Sequence, residues 1–252
     1  MTGMNPAEFA NIAQSERDFW WYRGMRDILF RMLDPLLGGR KPSRVLEAGC
    51  GTGYLSALLQ TERGWPMVPL DLASEGLRYT RQLGLREPVQ ADILRLPFAA
   101  ASFDLALSMD VFVHLERGDE RHAAAELARV LRPGGLAVVR AAAFDFLRSR
   151  HSEFVFERQR FTRAGLRKAF AAAGLRVVRS TYANTLLAPV ALAKFRLWEP
   201  LTTQHASSGV EPVAPWLNRA LGAPLAFEAA CIGAGVNFPF GQSIVIIGEK
   251  VS

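Results

Sequence analysis

The sequence predicts an α/β protein built on an open, mostly parallel sheet with helices on both faces. Three observations predict it. Short apolar runs alternate along the chain with stretches of helical period, the pattern of successive β-α-β units. A glycine-rich turn, Gly49-Cys50-Gly51-Thr52-Gly53, stands between one such run and a helical stretch. The first three apolar runs also each end in an acid, Glu47, Asp71 and Asp92. That places three carboxylates along the carboxyl edge of a sheet, where open α/β sheets bind ligands.

Each element follows from local pattern. Between residues 16 and 37, Phe19, Trp20, Tyr22, Met25, Ile28, Leu29, Met32, Leu33 and Leu36 recur at three- and four-residue spacing. They predict a helix that Gly38-Gly39 and Pro42 end. Strand one covers 44–48, and a helix runs from about 54 to 63. Residues 67–71 predict strand two, in which Pro69 is awkward because it cannot donate to a ladder. Ser74 is placed to cap a helix through Leu83. Residues 88–91 predict a short third strand and 103–109 a fourth. Glu116 to Leu131 predicts a helix stopped by Pro133-Gly134-Gly135, followed by strand five at 136–140. Thr162 begins a helix that Gly174 ends, residues 175–178 open strand six, and 243–247 form the last strand.

Composition narrows the class. A chain of 252 residues suits one large α/β domain, and half of its residues are hydrophobic, enough for a sizeable core. The formal charge is +6, but the bases are scattered and only four of the thirty are Lys. That pattern reflects an Arg-rich composition rather than a nucleic-acid surface, and no nucleic-acid partner is expected. The only cysteines, Cys50 and Cys231, predict neither a disulfide framework nor a metal site. No signal-like start and no long apolar span is present, so the sequence reads as a soluble cytoplasmic protein.

The glycine turn decides among nucleotide-binding motifs. Glycine accepts φ > 0 and lets backbone approach a ligand closely. A dinucleotide fingerprint begun at Gly49 would need its last glycine where Tyr54 stands, and one begun at Gly51 would need it at Ser56. A phosphate loop needs a Lys that is missing here. The segment Arg44-Val45-Leu46-Glu47-Ala48-Gly49-Cys50-Gly51-Thr52-Gly53 instead resembles the first motif of class I (Rossmann-like) methyltransferases, which bind S-adenosylmethionine. The resemblance continues through Ala91-Asp92-Ile93, Leu96-Pro97-Phe98 and Ser102-Phe103-Asp104. It closes on Glu126-Leu127-Ala128-Arg129-Val130-Leu131-Arg132-Pro133-Gly134-Gly135, covering residues 44–140 densely. The aromatic stretch Phe19 to Arg26 is similar to bacterial small-molecule members of that family.

The resemblance implies a seven-stranded sheet of order 3-2-1-4-5-7-6 with the last strand antiparallel. It implies S-adenosyl-L-methionine as cofactor and S-adenosyl-L-homocysteine as product. Glu47, Ala48, Gly49 and Gly51 would meet the methionine portion, with Glu47 helping to hold its ammonium. Asp71, beside Leu72, lies eighteen residues beyond Gly53 and is placed to accept from both ribose hydroxyls. Asp92 and Ile93 would meet the adenine. Met109 and Asp110, at the end of strand four, would flank the adenosine and the transferred methyl. Tyr22 and Arg26 stand four apart on one helix face, and Arg26 or Arg23 could pair with the methionine carboxylate. Trp20 and Trp21 either join the site or pack the helix onto the sheet.

Methyl transfer needs alignment first, and a base only where the acceptor must lose a proton. His114, just past strand four, is the candidate base; His151, His205 and Tyr182 are weaker ones. The Asn/Asp-Pro-Pro-Tyr signature of many amino-methylating relatives does not follow strand four. About sixty residues separate strand six from the last strand, where the basic fold has a short hairpin, and connections of that length are usually functional. Leu186–Trp198 and Trp216–Ile232 read as helices. The expected division is a cofactor domain, 1–183 plus 241–252, with residues 184–240 as an acceptor-pocket cap or dimer surface. The expected acceptor is a small apolar or aromatic molecule. A lipid-like acceptor such as a quinone or lipid-linked sugar, peripheral membrane contact, a non-catalytic cofactor-binding role, and either a monomer or a homodimer stay open.

Overall fold

The computed structural model describes residues 4–202, 207–210 and 212–251. Seven strands form one sheet in the order β3-β2-β1-β4-β5-β7-β6. They are β1 Val45–Ala48, β2 Met67–Asp71, β3 Val89–Gln90, β4 Phe103–Met109, β5 Leu131–Ala142, β6 Leu175–Ala183 and β7 Ser243–Lys250. The pairs among β3, β2, β1, β4 and β5 are parallel. Strand β7 runs antiparallel to both β5 and β6.

The middle strands are apolar on both faces because helices cover both faces. On one side lie α2 (Trp20–Leu37), α3 (Tyr54–Arg63) and α10 (Pro215–Gly233). They bury Met25, Ile28, Leu29, Met32, Leu59, Leu225, Ala229 and Ile232 against Val45, Leu105, Val138 and Ile247. On the other side α5 (Asp119–Val130) and α7 (Arg163–Ala172) bury Leu127, Leu166 and Phe170 against Leu46, Ala106, Val139 and Ile246. Helix α10 is thus part of the main core. It comes so close to α2 that a Cβ added at Gly24 would fall 2.6 Å from Leu225 Cβ.

Several boundaries differ from the sequence expectation, each for a physical reason. The helix expected from residue 16 begins at Trp20 as α2, and a separate helix that the sequence reading lacked, α1 (Glu8–Ser15), precedes it. Phe19 is extended at φ −64° and ψ 132° and divides them. Pro69 sits inside β2 because β3 pairs only with Leu70 and Asp71, leaving its outer side off the ladder. Helix α5 ends at Val130, and β5 begins at once at Leu131. A register shift between Phe103 and Leu105 lets the exposed Arg132-Pro133-Gly134 pass as an irregularity of β5 rather than as a loop. The expected helix at 186–198 is α8 (Ala188–Ala193), a π-turn (Lys194–Trp198) and α9 (Glu199–Leu201). Among the described residues no helix is long and apolar enough to cross a membrane.

Candidate active site

The glycine turn is where the chain leaves the centre of the sheet. Gly49, Gly51 and Gly53 have φ of 85°, 55° and 82°, a region that side-chain-bearing residues rarely adopt. A Cβ at Gly49 would also fall 2.0 Å from Val111 Cγ2, whereas one at Gly51 would meet open space. The turn therefore packs tightly on one side and opens on the other. Its backbone is fixed from β2, whose Leu70 carbonyl accepts from the N–H groups of Gly49 at 2.7 Å and Cys50 at 2.8 Å.

Asp71 braces the same turn. Its Oδ2 accepts from Gly51 N at 2.7 Å and its Oδ1 from Ala73 N at 2.8 Å. Each oxygen keeps a second lone pair for another donor. Burial holds this carboxyl above its ordinary range, against the pull of those N–H groups. Asp92 forms a similar small turn, with Oδ1 accepting from Leu94 N at 2.9 Å; Ile93 beside it is buried. Glu47 is 3% exposed and accepts from Ser56 Oγ. Burial, with the charges of Glu16 and Asp71, pushes it up to about 8.

These groups border one cavity of about 810 Å3 at the carboxyl ends of β1, β2, β4 and β5, within the size range of cofactor and drug-like pockets. Tyr22, Arg26, Glu47, Gly49, Gly51, Asp71, Leu72, Asp92, Ile93, Met109, Asp110 and His114 all line it. Ala48 does not; it lies fully buried within β1. Arg26 reaches the cavity, but its Nη1 and Nη2 donate to the carbonyls of Glu16 and Arg17, and it lies 5.0 Å from the Tyr54 ring centroid. Arg23 is exposed and does not line the wall. Both Trp20 and Trp21 do.

Two features of the wall had little or no signal in the sequence. Glu16, in the α1–α2 joint, accepts from Thr52 Oγ1 at 2.5 Å, and burial pushes its carboxyl up to about 7. Nothing in its local pattern marks it, because its partner lies 36 residues away. Arg140 had a readable sign, a charge at the end of the apolar strand β5. Its Nη2 and Nε donate to Asp110 Oδ2 at 2.5 and 2.9 Å. Its Cζ lies 4.7 Å from the centroid of Trp21, and only 9% of the side chain is exposed. Asp110 is held at φ 59° and donates its own N–H to the Arg140 carbonyl.

His114 has its pKa lowered by burial, despite a hydrogen bond to the Phe156 carbonyl. Its Nδ1 is buried and has no hydrogen-bond partner among the described residues. His151 also lines the cavity, but its Nδ1 accepts from Gly209 N at 2.9 Å. Tyr182 does not reach the wall; its hydroxyl accepts from Arg163 N, and its ring stacks on Phe144. His205 lies outside the described residues.

The far wall belongs to the connection between β6 and β7. Val190, Lys194, Phe195, Trp198 and Leu221 line the cavity there. The segment is tied to α6 (Arg150–Phe154) through Arg150, whose N donates to Glu199 Oε2 and whose Nη1 donates to Thr202 Oγ1. The cavity thus has a polar half around the turn and a mixed half beyond β4, where Val190, Phe195 and Trp198 stand with Arg150, Glu157 and Lys194. An elongated ligand can place one end against the acids and present its middle to a second molecule.

Comparisons with known proteins agree with this geometry. Residues 46–139 match the family described as a methyltransferase domain. A malonyl-[acyl-carrier protein] O-methyltransferase of Methylovorus sp. is 38% identical over 135 residues, 49% of this chain and 45% of that protein. The enzyme of that name from Pseudescherichia vulneris is 34% identical over 188 residues, 74% of this chain and 64% of that protein. The chain spans about half the length of the curated relatives it matches. Among solved structures, geranyl diphosphate C-methyltransferase from Streptomyces coelicolor, in complex with S-adenosyl-L-homocysteine, is 15% identical with a TM-score of 0.58. That likeness covers 90% of this chain and 77% of the other, and it speaks for the fold. The chain therefore carries a methyltransferase domain over residues 46–139 and has the class I methyltransferase fold.

Proposed function

We propose that this protein transfers a methyl group from S-adenosylmethionine to a small-molecule acceptor. The observation that carries this reading is the meeting of the open glycine turn and three strand-end acids, Glu47, Asp71 and Asp92, on one cavity whose other half is free for an acceptor. The residues suit the cofactor. The space over Gly51 admits a close ligand, Asp71 has lone pairs left for hydroxyls, and a buried carboxylate, Glu47, stands without an ion-pair partner among the described residues. In this assignment Glu47 holds the ammonium, Asp71 the ribose, and Asp92 with Ile93 the adenine. When bound, the cofactor supplies an activated methyl on a sulfonium.

The chain's part is mainly orientation. Holding two reactants in line is worth about 7–11 kcal/mol of barrier. Met109, Asp110, Val111, Trp21 and Tyr22 line the cavity and would hold the reactants in place. His114, which lines the cavity and whose pKa burial lowers, takes the proton of a phenol-like or hydroxyl acceptor. Residues 184–240 act as the acceptor-side cap, and their apolar wall supports an apolar or aromatic acceptor.

One observation favours a second acceptor type. Arg140 Nη1 has no hydrogen-bond partner among the described residues, and the guanidinium reaches solvent through the cavity it lines. An acceptor carboxylate would complete it, and the O-methyltransferase relatives named for malonyl-[acyl-carrier protein] favour the same chemistry. A carboxylate is already a nucleophile and needs no base. His114→Ala therefore separates the two: it abolishes transfer to a phenol and spares transfer to a carboxylate. The overall test is formation of S-adenosylhomocysteine with a panel of phenols, carboxylic acids and quinols, alongside cofactor binding by calorimetry. Tight binding with no turnover on any acceptor would support a sensor, and no binding would end the reading.

A further inference from the structure

We propose that Glu16, carried on the joint between α1 and α2, is a second carboxylate for the ammonium group of the bound cofactor, so that seating α1 completes the amino-acid end of the site. This rests on the cofactor reading above and adds to it a group from outside the sheet.

The geometry is specific. Glu16 is 9% exposed and lines the cavity with Glu47. Thr52 Oγ1 donates to its Oε2 at 2.5 Å, which ties the joint to the glycine turn. Glu47 is held in the same way, with its Oε2 accepting from Ser56 Oγ. Both side chains border the same cavity. Two buried carboxylates therefore border one space, near enough for the charge of Glu16 to act on Glu47.

The charges around them do not balance. From α2, Arg26 is the nearby cation, but its two Nη groups are spent on the carbonyls of Glu16 and Arg17 and it makes no ion pair with Glu16. Tyr22 on α2, Glu8 on α1, Glu47 on β1 and Asp71 at the end of β2 are neutral or acidic. Arg140 on β5 is paired with Asp110. Neither Glu16 nor Glu47 has an ion-pair partner among the described residues, and an ammonium, with three donors and no acceptor, fits two carboxylate oxygens. The carboxyls are held up at about 7 and about 8 mainly by burial. A cation placed between them lowers both, so binding near neutral pH releases protons.

Glu16 could instead serve only as a strut holding α1 on Thr52. The two roles separate by ligand. S-adenosylhomocysteine carries the amino-acid end, whereas 5′-methylthioadenosine has the adenosine and thioether without it. Glu16→Gln keeps an acceptor for Thr52 and removes the charge. Calorimetry on the full chain, in two buffers of different ionisation enthalpy, is expected to show about tenfold or more weaker S-adenosylhomocysteine binding for Glu16→Gln. Proton release should be smaller, with methylthioadenosine affinity unchanged. Glu16→Asp, which keeps the charge, should recover part of the loss and guards against a folding defect. Equal loss for both ligands, or no loss for either, would overturn the proposal. Failure of the unaltered protein to bind either ligand would overturn it together with the cofactor assignment.

Discussion

Replacing Gly76 with alanine sets two effects against each other. Gly76 lies inside helix α4 (Ser74–Gln82), where alanine is normally favoured over glycine by about 1 kcal/mol. A Cβ at this position, however, falls 2.5 Å from the carbonyl oxygen of Gly51, 2.9 Å from its carbonyl carbon and 2.8 Å from Phe9 Cε1. The first two atoms are backbone of the glycine turn, which Leu70 and Asp71 hold in place, so they cannot rotate aside. Overpacking of this kind costs about 1–3 kcal/mol. With backbone on one side and a buried ring on the other, the upper end applies, and a net loss of about 2 kcal/mol is left after the helix gain. For a chain of this size that is a fall in Tm of about 4–8 °C. The matched control is Gly222→Ala in α10, where the nearest atom is Trp20 Cβ at 3.8 Å, an ordinary contact. There the helix gain stands alone and Tm rises by about 2–4 °C. Scanning calorimetry on both variants decides the matter, and cofactor binding to Gly76→Ala should weaken as the turn shifts. If Gly76→Ala were as stabilising as Gly222→Ala, the close packing of α4 on the turn would be wrong.

Asp71→Ala leaves Gly51 N–H and Ala73 N–H without their carboxylate and removes the acceptor assigned to the ribose. S-adenosylhomocysteine should bind about 10–100-fold more weakly by calorimetry, the loss of charge-assisted hydrogen bonds, and a change under twofold would refute the assignment. Leu225→Ala opens a hole where α10 meets α2 at Gly24. It should cost about 2–5 kcal/mol, read as a lower urea midpoint with unchanged slope; an unaltered midpoint would show that α10 does not share the main core. The folded-state carboxyls of Glu16 and Glu47 lie above 4.5, at about 7 and about 8, so the native ligand-free chain binds more protons than the unfolded one between those values. Their contribution to stability is therefore full below about pH 4.5 and is lost as the pH rises through about 8. Glu47→Gln should flatten the slope of Tm against pH, and a slope identical to the parent would count against burial of that carboxyl.

How much of this was legible depended on whether a feature was local. The parallel strands, the glycine turn and the acids after β1, β2 and β3 were readable because each depends on a few neighbouring residues: apolar runs, φ > 0, a carboxylate at a strand end. The cap at Thr162 was readable for the same reason, and its Oγ1 accepts from Gly165 N at 3.1 Å. Helix α1 was missed. Its one buried large apolar side chain, Phe9, is too little for a periodic stripe. The start of β5 was misplaced because Pro133-Gly134-Gly135 breaks helices locally, whereas pairing with β4 continues around it as an irregularity. Glu228 is the clearest omission. It is fully buried in α10 and accepts from Leu186 N at 2.7 Å, a bond across 42 residues that no periodicity announces.

The sequence by itself determined the class of fold, the place of the glycine turn and the acids that line the cavity, because backbone preference and side-chain period act over a few residues. Only the tertiary structure decided that Arg26 is spent on the carbonyls of the α1–α2 joint, that Glu16 stands beside Glu47, that Arg140 lies over Trp21, and that α10 packs on α2 rather than standing apart. Those arrangements join residues tens to hundreds of positions apart. They are fixed by which apolar faces exclude water together and by where buried charges find partners, and both are properties of the packed whole.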